Sequence, residues 1–331
     1  MSGRIQLAHG GGGTLMQRLI AEELLALYGP EPPVLHDAAR LTLPHGRLAF
    51  STDGYVVQPL EFPGGDIGSL AITGTANDLA MAGARPRHLS VGLILEEGLE
   101  LALLRRVVAS MRRAAVACGV QVCTGDTKVV ERGKADGLFI TTSGIGELVS
   151  PEPIEPTAIR PGDQLLLSGD LGRHGVAILA ARHGLALEPP VASDCAPLWP
   201  PVELLLSAGL VPHCLRDLTR GGLASALQEL AEGSGLELVV EEARLPVIEP
   251  VARTCALLGF EPLHLANEGR FLAVLPPERA EAALALLAPH GGCWIGTVQA
   301  ATAAPRVLLR TELGTERLLI PQSGELLPRI C

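Results

Sequence analysis

Apolar positions along the chain fall into two rhythms. Leu101, Leu104, Val108, Met111, Ala115 and Cys118 recur three or four apart, which places them on one face of a helix, and Gly119 is the residue type that ends such a helix. A second stripe starts at Thr14 and runs through Leu15, Leu19, Ile20, Leu24 and Leu27 to Gly29-Pro30. A third opens at Pro63-Gly64-Gly65-Asp66 and carries Ile67, Leu70, Ala71 and Gly74. Continued by the same steps, it reaches Asp78 and Met81. That register turns a carboxylate toward the core or a cleft rather than open water.

Short apolar runs bounded by turn residues predict strands at 47–52, 88–95, 120–123 and 138–142, so strands and helices alternate and the fold class is α/β or α+β. Four prolines punctuate the polar stretch 148–161, which marks the boundary between an N-terminal α/β domain, 1–152, and a C-terminal α/β domain, 153–320. The second domain is expected to hold strands at 164–167, 236–240 and 271–275, helices at 172–183, 221–232 and 277–287, and short strands near Trp294 and Leu318. From Pro321 neither rhythm persists. Residues 321–331 read as a flexible tail that, fully extended, reaches roughly 35–40 Å.

Composition narrows the function. With 26 Lys+Arg against 36 Asp+Glu, the net charge of −10 disfavours a basic duplex-binding surface, and nine aromatics in 331 residues disfavour base stacking along a single strand. No apolar run approaches the roughly 18–20 residues that span a bilayer, and no signal peptide opens the chain, so a cytoplasmic protein is expected. Seven cysteines, without a Cys-x-x-Cys pair, suggest neither a zinc site nor a disulfide framework. One of them, Cys331, ends the tail. Core packing explains a thiol there only if the tail docks, so a frayed end, a buried anchor and a mobile carrier of a covalently attached group are the readings, the last being the sharpest.

Asp37, Asp53, Asp78, Asp126 and Asp217 stand beside glycine or other small residues at expected strand ends or helix starts. Taken singly, each reads as a turn former or cap. Together they offer the hard oxygen ligands that suit Mg²⁺ and nucleotide phosphates, even in an acidic protein. No Gly-x4-Gly-Lys-Ser/Thr loop occurs, but the Gly64-Gly65-Asp66 helix start can either present backbone N–H groups to an anion or simply cap the helix. Lys128, one of only two lysines, lies two residues from Asp126 and suits a terminal phosphate or, alternatively, a surface ion pair. His264 and Glu268, four apart before Gly269-Arg270, can act as proton shuttle and base.

These segments, together with Ser-Thr-Asp-Gly-Tyr-Val-Val, Gly-Thr-Ala-Asn-Asp-Leu-Ala, Thr-Gly-Asp-Thr-Lys-Val-Val, Asp-Leu-Thr-Arg-Gly-Gly-Leu, Asn-Glu-Gly-Arg and the terminal Pro-Arg-Ile-Cys, resemble the HypE family of hydrogenase maturation factors. This family of carbamoyl dehydratases belongs to the superfamily of aminoimidazole ribonucleotide synthetase and selenophosphate synthetase. The resemblance implies two α/β domains, an N-terminal sheet that pairs across a homodimer, and ATP bound near the domain interface. It further implies nucleotide contacts at Asp53, Gly65, Asp66, Asn77, Asp78, Asp126, Thr127 and Lys128, and Mg²⁺ at Asp37, Asp53, Asp78, Asp126 and Asp217. Cys331, Glu268, Lys128 and His264 are the implied catalytic groups. The tail thiol would take a carbamoyl group from the carbamoyltransferase HypF and, after ATP-dependent dehydration, pass cyanide to a HypC–HypD scaffold. One alternative is another ATP-dependent synthetase or small-molecule kinase of the superfamily, in which the tail is incidental. A second is a scaffold that binds no nucleotide.

Overall fold

The computed structural model describes all residues except 1–2, 12–13, 30–38, 40, 42–45, 312, 321–329 and 331. Asp37, Cys331 and the tail other than Ile330 therefore lie outside the described residues.

The first helix, α1 (Thr14–Leu19), continues as a wider turn over Ile20–Leu24 and a tighter one over Leu25–Tyr28, and its stripe residues Leu19, Leu24 and Leu27 are buried. Strand β1 (Leu48–Tyr55) leads to a small hairpin, β2 (Glu61–Phe62) and β3 (Gly65–Asp66), which opens α2 (Ile67–Met81). There follow β4 (Ala84–Glu96), α3 (Leu101–Cys118), β5 (Gln121–Val130) and β6 (Leu138–Leu148). The sheet order is β1-β6-β4-β5, with β4 and β5 parallel and the other pairs antiparallel.

Helices α2 and α3 share the apolar core of this sheet. Gly68 makes that packing close: a Cβ there would stand 2.6 Å from the Val107 carbonyl oxygen on α3. Edge strand β1 keeps Phe50 71% exposed. The expected strand at 120–123 runs on to Val130, so Asp126, Thr127 and Lys128 sit within a strand, not in the turn that their glycine neighbour suggests.

The second half contains β7 (Gln164–Leu167), α4 (Arg173–His183), α5 (Trp199–Ser207), β8 (Cys214–Asp217), α6 (Gly222–Ser234), β9 (Glu237–Glu241), α7 (Glu249–Leu258), β10 (Phe271–Leu275), α8 (Pro277–Leu287), β11 (Cys293–Gln299), β12 (Arg306–Arg310) and β13 (Glu316–Leu318). Its seven strands are ordered β13-β12-β9-β11-β7-β10-β8. Alternation along the central strands feeds two cores. Leu165, Leu167, Leu272 and Val274 pack with Leu223, Leu227 and Leu230 of α6, whereas Leu166, Phe271 and Ala273 pack with Trp199, Val202 and Leu205 of α5 and Leu287 of α8. A strand covered on both faces can be apolar throughout, which is why β10 reads Phe-Leu-Ala-Val-Leu. Helix α5 escaped the sequence reading because Pro200 and Pro201 look like breakers, although proline is tolerated in a first turn.

The first sheet ends at Leu148 and the second begins at Gln164. Helix α2 joins them, since Ala80 and Met81 pack into the cluster around Trp199. Among the described residues no helix is long and apolar enough to cross a membrane.

Candidate active site

Where the two halves meet, a cavity of about 320 Å³ is lined by Thr52, Asp53 and Tyr55 of β1, Gly74, Asp78 and Met81 of α2, Arg216 and Asp217 of β8, Thr219 and Arg220 beyond it, Glu229 of α6, and Glu268. Backbone geometry explains how these side chains converge. Asp66 caps α2 by accepting from Ser69 N at 2.8 Å, and three helical turns later Asp78 faces β1, where Ser51 Oγ donates to its Oδ2 at 2.7 Å. Gly74 lets the Tyr55 ring lie against the helix, because any Cβ would collide with the Tyr55 hydroxyl.

The Asn-Glu-Gly-Arg segment is pinned at each residue. Asn267 Oδ1 accepts from Gly172 N at 2.6 Å, Arg270 pairs with Asp170 at 2.7 Å, and the Asp194 carboxylate accepts from Glu268 N and Gly269 N, each at 3.2 Å. Gly269 has no room for a side chain against the Asp194 carbonyl. Glu268, held this way, is 3% exposed, and its Oε1 is buried without a hydrogen-bond partner.

Five carboxylates, Asp53, Asp78, Asp217, Glu229 and Glu268, thus line one cavity. Burial, followed by repulsion from Asp217, pushes Asp78 up to about 6, against the hydrogen bond from Ser51. Asp217 is raised by burial even though Arg216 Nη1 stands 3.0 Å from its Oδ1, and Glu268 is raised well above the ordinary carboxylate range by burial and then by Asp217 and Asp194. Arg220 approaches Asp53 at 3.8 Å, and Arg216 also binds Glu229 at 2.7 Å.

Such an arrangement calls for added positive charge, and Asp53, Asp78 and Asp217 are the residue type that a divalent cation with phosphate and water ligands would use. Among the described residues no three acidic, His or Cys side chains are already gathered around one point for an ion.

The other sequence candidates sit elsewhere. Asp126 and Lys128 pair with each other at 2.7 Å on the exposed face of β5, at the opposite edge of the sheet from β1. Thr127 between them is buried. His264 turns toward Glu261, with Nε2 3.5 Å from its carboxylate, and does not line the cavity, so the structure does not bring it to Glu268 as the sequence reading expected. Asn77 is buried and tied to the second half: its Nδ2 donates to the Ala196 and Glu268 carbonyls at 3.1 and 3.2 Å, and its Oδ1 accepts from Leu198 N at 2.8 Å. Gly65 packs under the Phe62 ring. No separate sequence signal marks Ser51, Tyr55, Arg216, Arg220 and Glu229, although Ser51, Tyr55 and Arg220 lie within motifs that carry the resemblance and Arg216 immediately precedes Asp217.

Two α/β halves that meet over an acidic cleft define a class, and family models fit both. The AIR synthase related N-terminal domain matches residues 35–148 and the C-terminal domain residues 160–305. Within that class, the carbamoyl dehydratase HypE of Rhodobacter capsulatus is 49% identical over 99% of this chain and 98% of its own length. The crystal structure of a hydrogenase maturation protein HypE in complex with ATP matches with a TM-score of 0.94 at 48% identity, covering 98% of this chain and 99% of that one. A chain from the HypE–HypF complex matches at 0.81 and 39% identity, covering 94% of this chain and 100% of that one. The chain belongs to the HypE family of carbamoyl dehydratases.

Proposed function

We propose that this protein is the ATP-dependent carbamoyl dehydratase of nickel-iron hydrogenase maturation and acts on the S-carbamoyl group of its own Cys331. The observation that carries this reading is Glu268, a carboxylate with a buried, unpaired Oε1 in a cavity shared with Asp53, Asp78 and Asp217. Dehydration of R–S–C(O)NH₂ needs the carboxamide oxygen made into a leaving group and two N–H protons removed. The oxygen attacks the γ-phosphorus of ATP and ADP departs. Loss of phosphate from carbon then leaves R–S–C≡N, so that the products are thiocyanate, ADP and phosphate.

Glu268 takes the amide protons, releasing the first before it accepts the second. A carboxylate whose pKa is raised toward the working pH is a stronger base than a surface glutamate. Arg216 and Arg220 hold Asp217 and Asp53 in place beside the phosphates. Mg²⁺ at Asp53, Asp78 and Asp217 supplies charge neutralisation for the phosphate oxygens when bound.

Asp126 and Lys128 are exposed at the far sheet edge, and we assign their part in the reaction to the homodimer, in which Lys128 of the partner subunit stabilises the transferring phosphoryl group. Phe50, exposed on β1, belongs to the surface that would pair. HypF as carbamoyl donor, and HypC with HypD as cyanide acceptors, complete the route, and a cytoplasmic location suits these partners. The test is mass spectrometry of the C-terminal peptide after incubation with carbamoyl phosphate, HypF and ATP. Carbamoylation of Cys331 followed by loss of one water is expected. Phosphorylation of a diffusible substrate with Cys331 unchanged would favour the kinase alternative.

A further inference from the structure

Beside the acidic cavity lies a second polar arrangement, and it touches the end of the chain. Ile330, the one described residue of the tail, is 6% exposed and packs in the apolar cluster that includes Phe62, Val176, Val191 and Leu265. Its carbonyl oxygen accepts from Nε2 of His174 at 2.8 Å. His174 stands in the first turn of α4 and is fully buried, and burial holds it below the usual imidazole range. A neutral ring has one N–H. Because a carbonyl only accepts, that proton is on Nε2, and Nδ1 accepts from the Ser193 hydroxyl at 2.8 Å.

Ser193 is itself fixed. Its Oγ accepts from Cys195 N at 3.1 Å, and its backbone N donates to the Pro63 carbonyl at 2.8 Å. The hairpin can come this close only because residue 64 is glycine, with φ +91° and no space for a Cβ, which would fall 2.7 Å from Ser193 N. Phe62 sets its ring edge-on to His174, with centroids 5.4 Å apart. The Phe-Pro-Gly-Gly-Asp segment, which reads in sequence as an anion loop, thus buttresses a seat for a peptide carbonyl. The residue after Ser193 is Asp194, the group that holds the Glu268 and Gly269 amides. One short segment therefore registers both the end of the tail and the base.

We propose that His174 is a positioning residue for the dehydration: its Nε2–H, oriented by Ser193, docks the Ile330 carbonyl and so fixes the depth at which the following residue, Cys331, is presented to Glu268. This deepens the carrier reading of Cys331 and rests on it. Departure of the tail toward a partner leaves a buried N–H without an acceptor, so the seat favours return.

The test measures iodoacetamide alkylation of Cys331 in the full-length protein, read by mass spectrometry of the C-terminal peptide, alongside the rate of dehydration of the carbamoylated tail. His174→Phe keeps the ring contact but removes the donor, and His174→Gln restores an N–H near the position of Nε2. Release of a docked segment should raise the alkylation rate of His174→Phe roughly tenfold and lower dehydration to match, with both largely restored in His174→Gln. Ile330→Asp changes only the tail, so it remains informative if His174→Phe does not fold, and it should behave as His174→Phe does. Wild-type alkylation rates in both His174→Phe and Ile330→Asp, or no restoration by His174→Gln, would overturn the seat. Failure of Cys331 to gain a carbamoyl mass would instead end the carrier reading while leaving the protection pattern intact.

Discussion

Two sets of aspartates in the first half of the protein meet opposite electrostatic fates. Asp78 is half-buried in the cavity it shares with Asp53, Asp217 and Glu268, and its burial, followed by repulsion from Asp217 and Asp53, pushes its pKa up to about 6. Asp126 is exposed beside Lys128, and the hydrogen bond from that ammonium lowers its carboxyl below the ordinary range. The buried group is held at an energetic cost that cations and substrate can relieve. The exposed pair is already satisfied and must exchange Lys128 for a new partner before it can do chemistry. Position in the fold, an inner helix face against an exposed edge strand, separates the two, not residue type.

The comparison breaks most sharply at Glu268. Glu268→Gln should slow dehydration by about 10²–10⁴, the usual worth of a general base, while Cys331 is still carbamoylated. Single-turnover assay of the pre-carbamoylated protein checks this, and a native rate would remove the base from the scheme.

Asp78→Asn should lower ATP hydrolysis and also sharpen the electrostatic argument. Between the unfolded carboxyl value of 3.8 and about 6, the folded protein binds the extra proton, so this group favours folding at low pH and the benefit is lost as pH rises through that window. The variant should therefore lose of order 2 kcal/mol of the decline in ligand-free stability between pH 4 and pH 7. Denaturant titrations at several pH values measure it, and an unchanged slope would mean Asp78 is not raised. The smallest effect concerns Lys128. Mixing Lys128→Ala with Glu268→Gln protomers should restore about a quarter of the wild-type rate, because in a twofold-symmetric dimer only mixed pairs regain one whole site. No recovery would place Lys128 in the same subunit as its Glu268.

How far the sequence carries this picture depends on the range of the interaction. The stripe from Ile67 to Met81 announces Asp78 on the inner face of a helix, and the Asn-Glu-Gly-Arg segment announces a charged residue in a constrained loop, because both signals are local. Asp126 misleads, since its Thr-Gly-Asp-Thr setting reads as a strand end while pairing with β4 extends the strand to Val130. His264 and Glu268 are neighbours in the chain, but the turn at Pro262–His264 sends the imidazole toward Glu261. His174 and Ser193 escape notice because a lone histidine in a helix start gives no sign of what lies across from it. Gly64 carries the clue, a positive φ next to foreign backbone, but only coordinates reveal which backbone.

Helix α2 has a further consequence through Asn77. Its side chain closes three hydrogen bonds with backbone of the second half, and the last turn of the helix is lodged among that half's apolar residues. Severing the polypeptide after residue 152 would strand this peg in solvent and leave its socket empty. The two halves, however separate their sheets, are therefore expected to melt together, and inheritance of one without the other would yield neither a catalyst nor a sound structural unit.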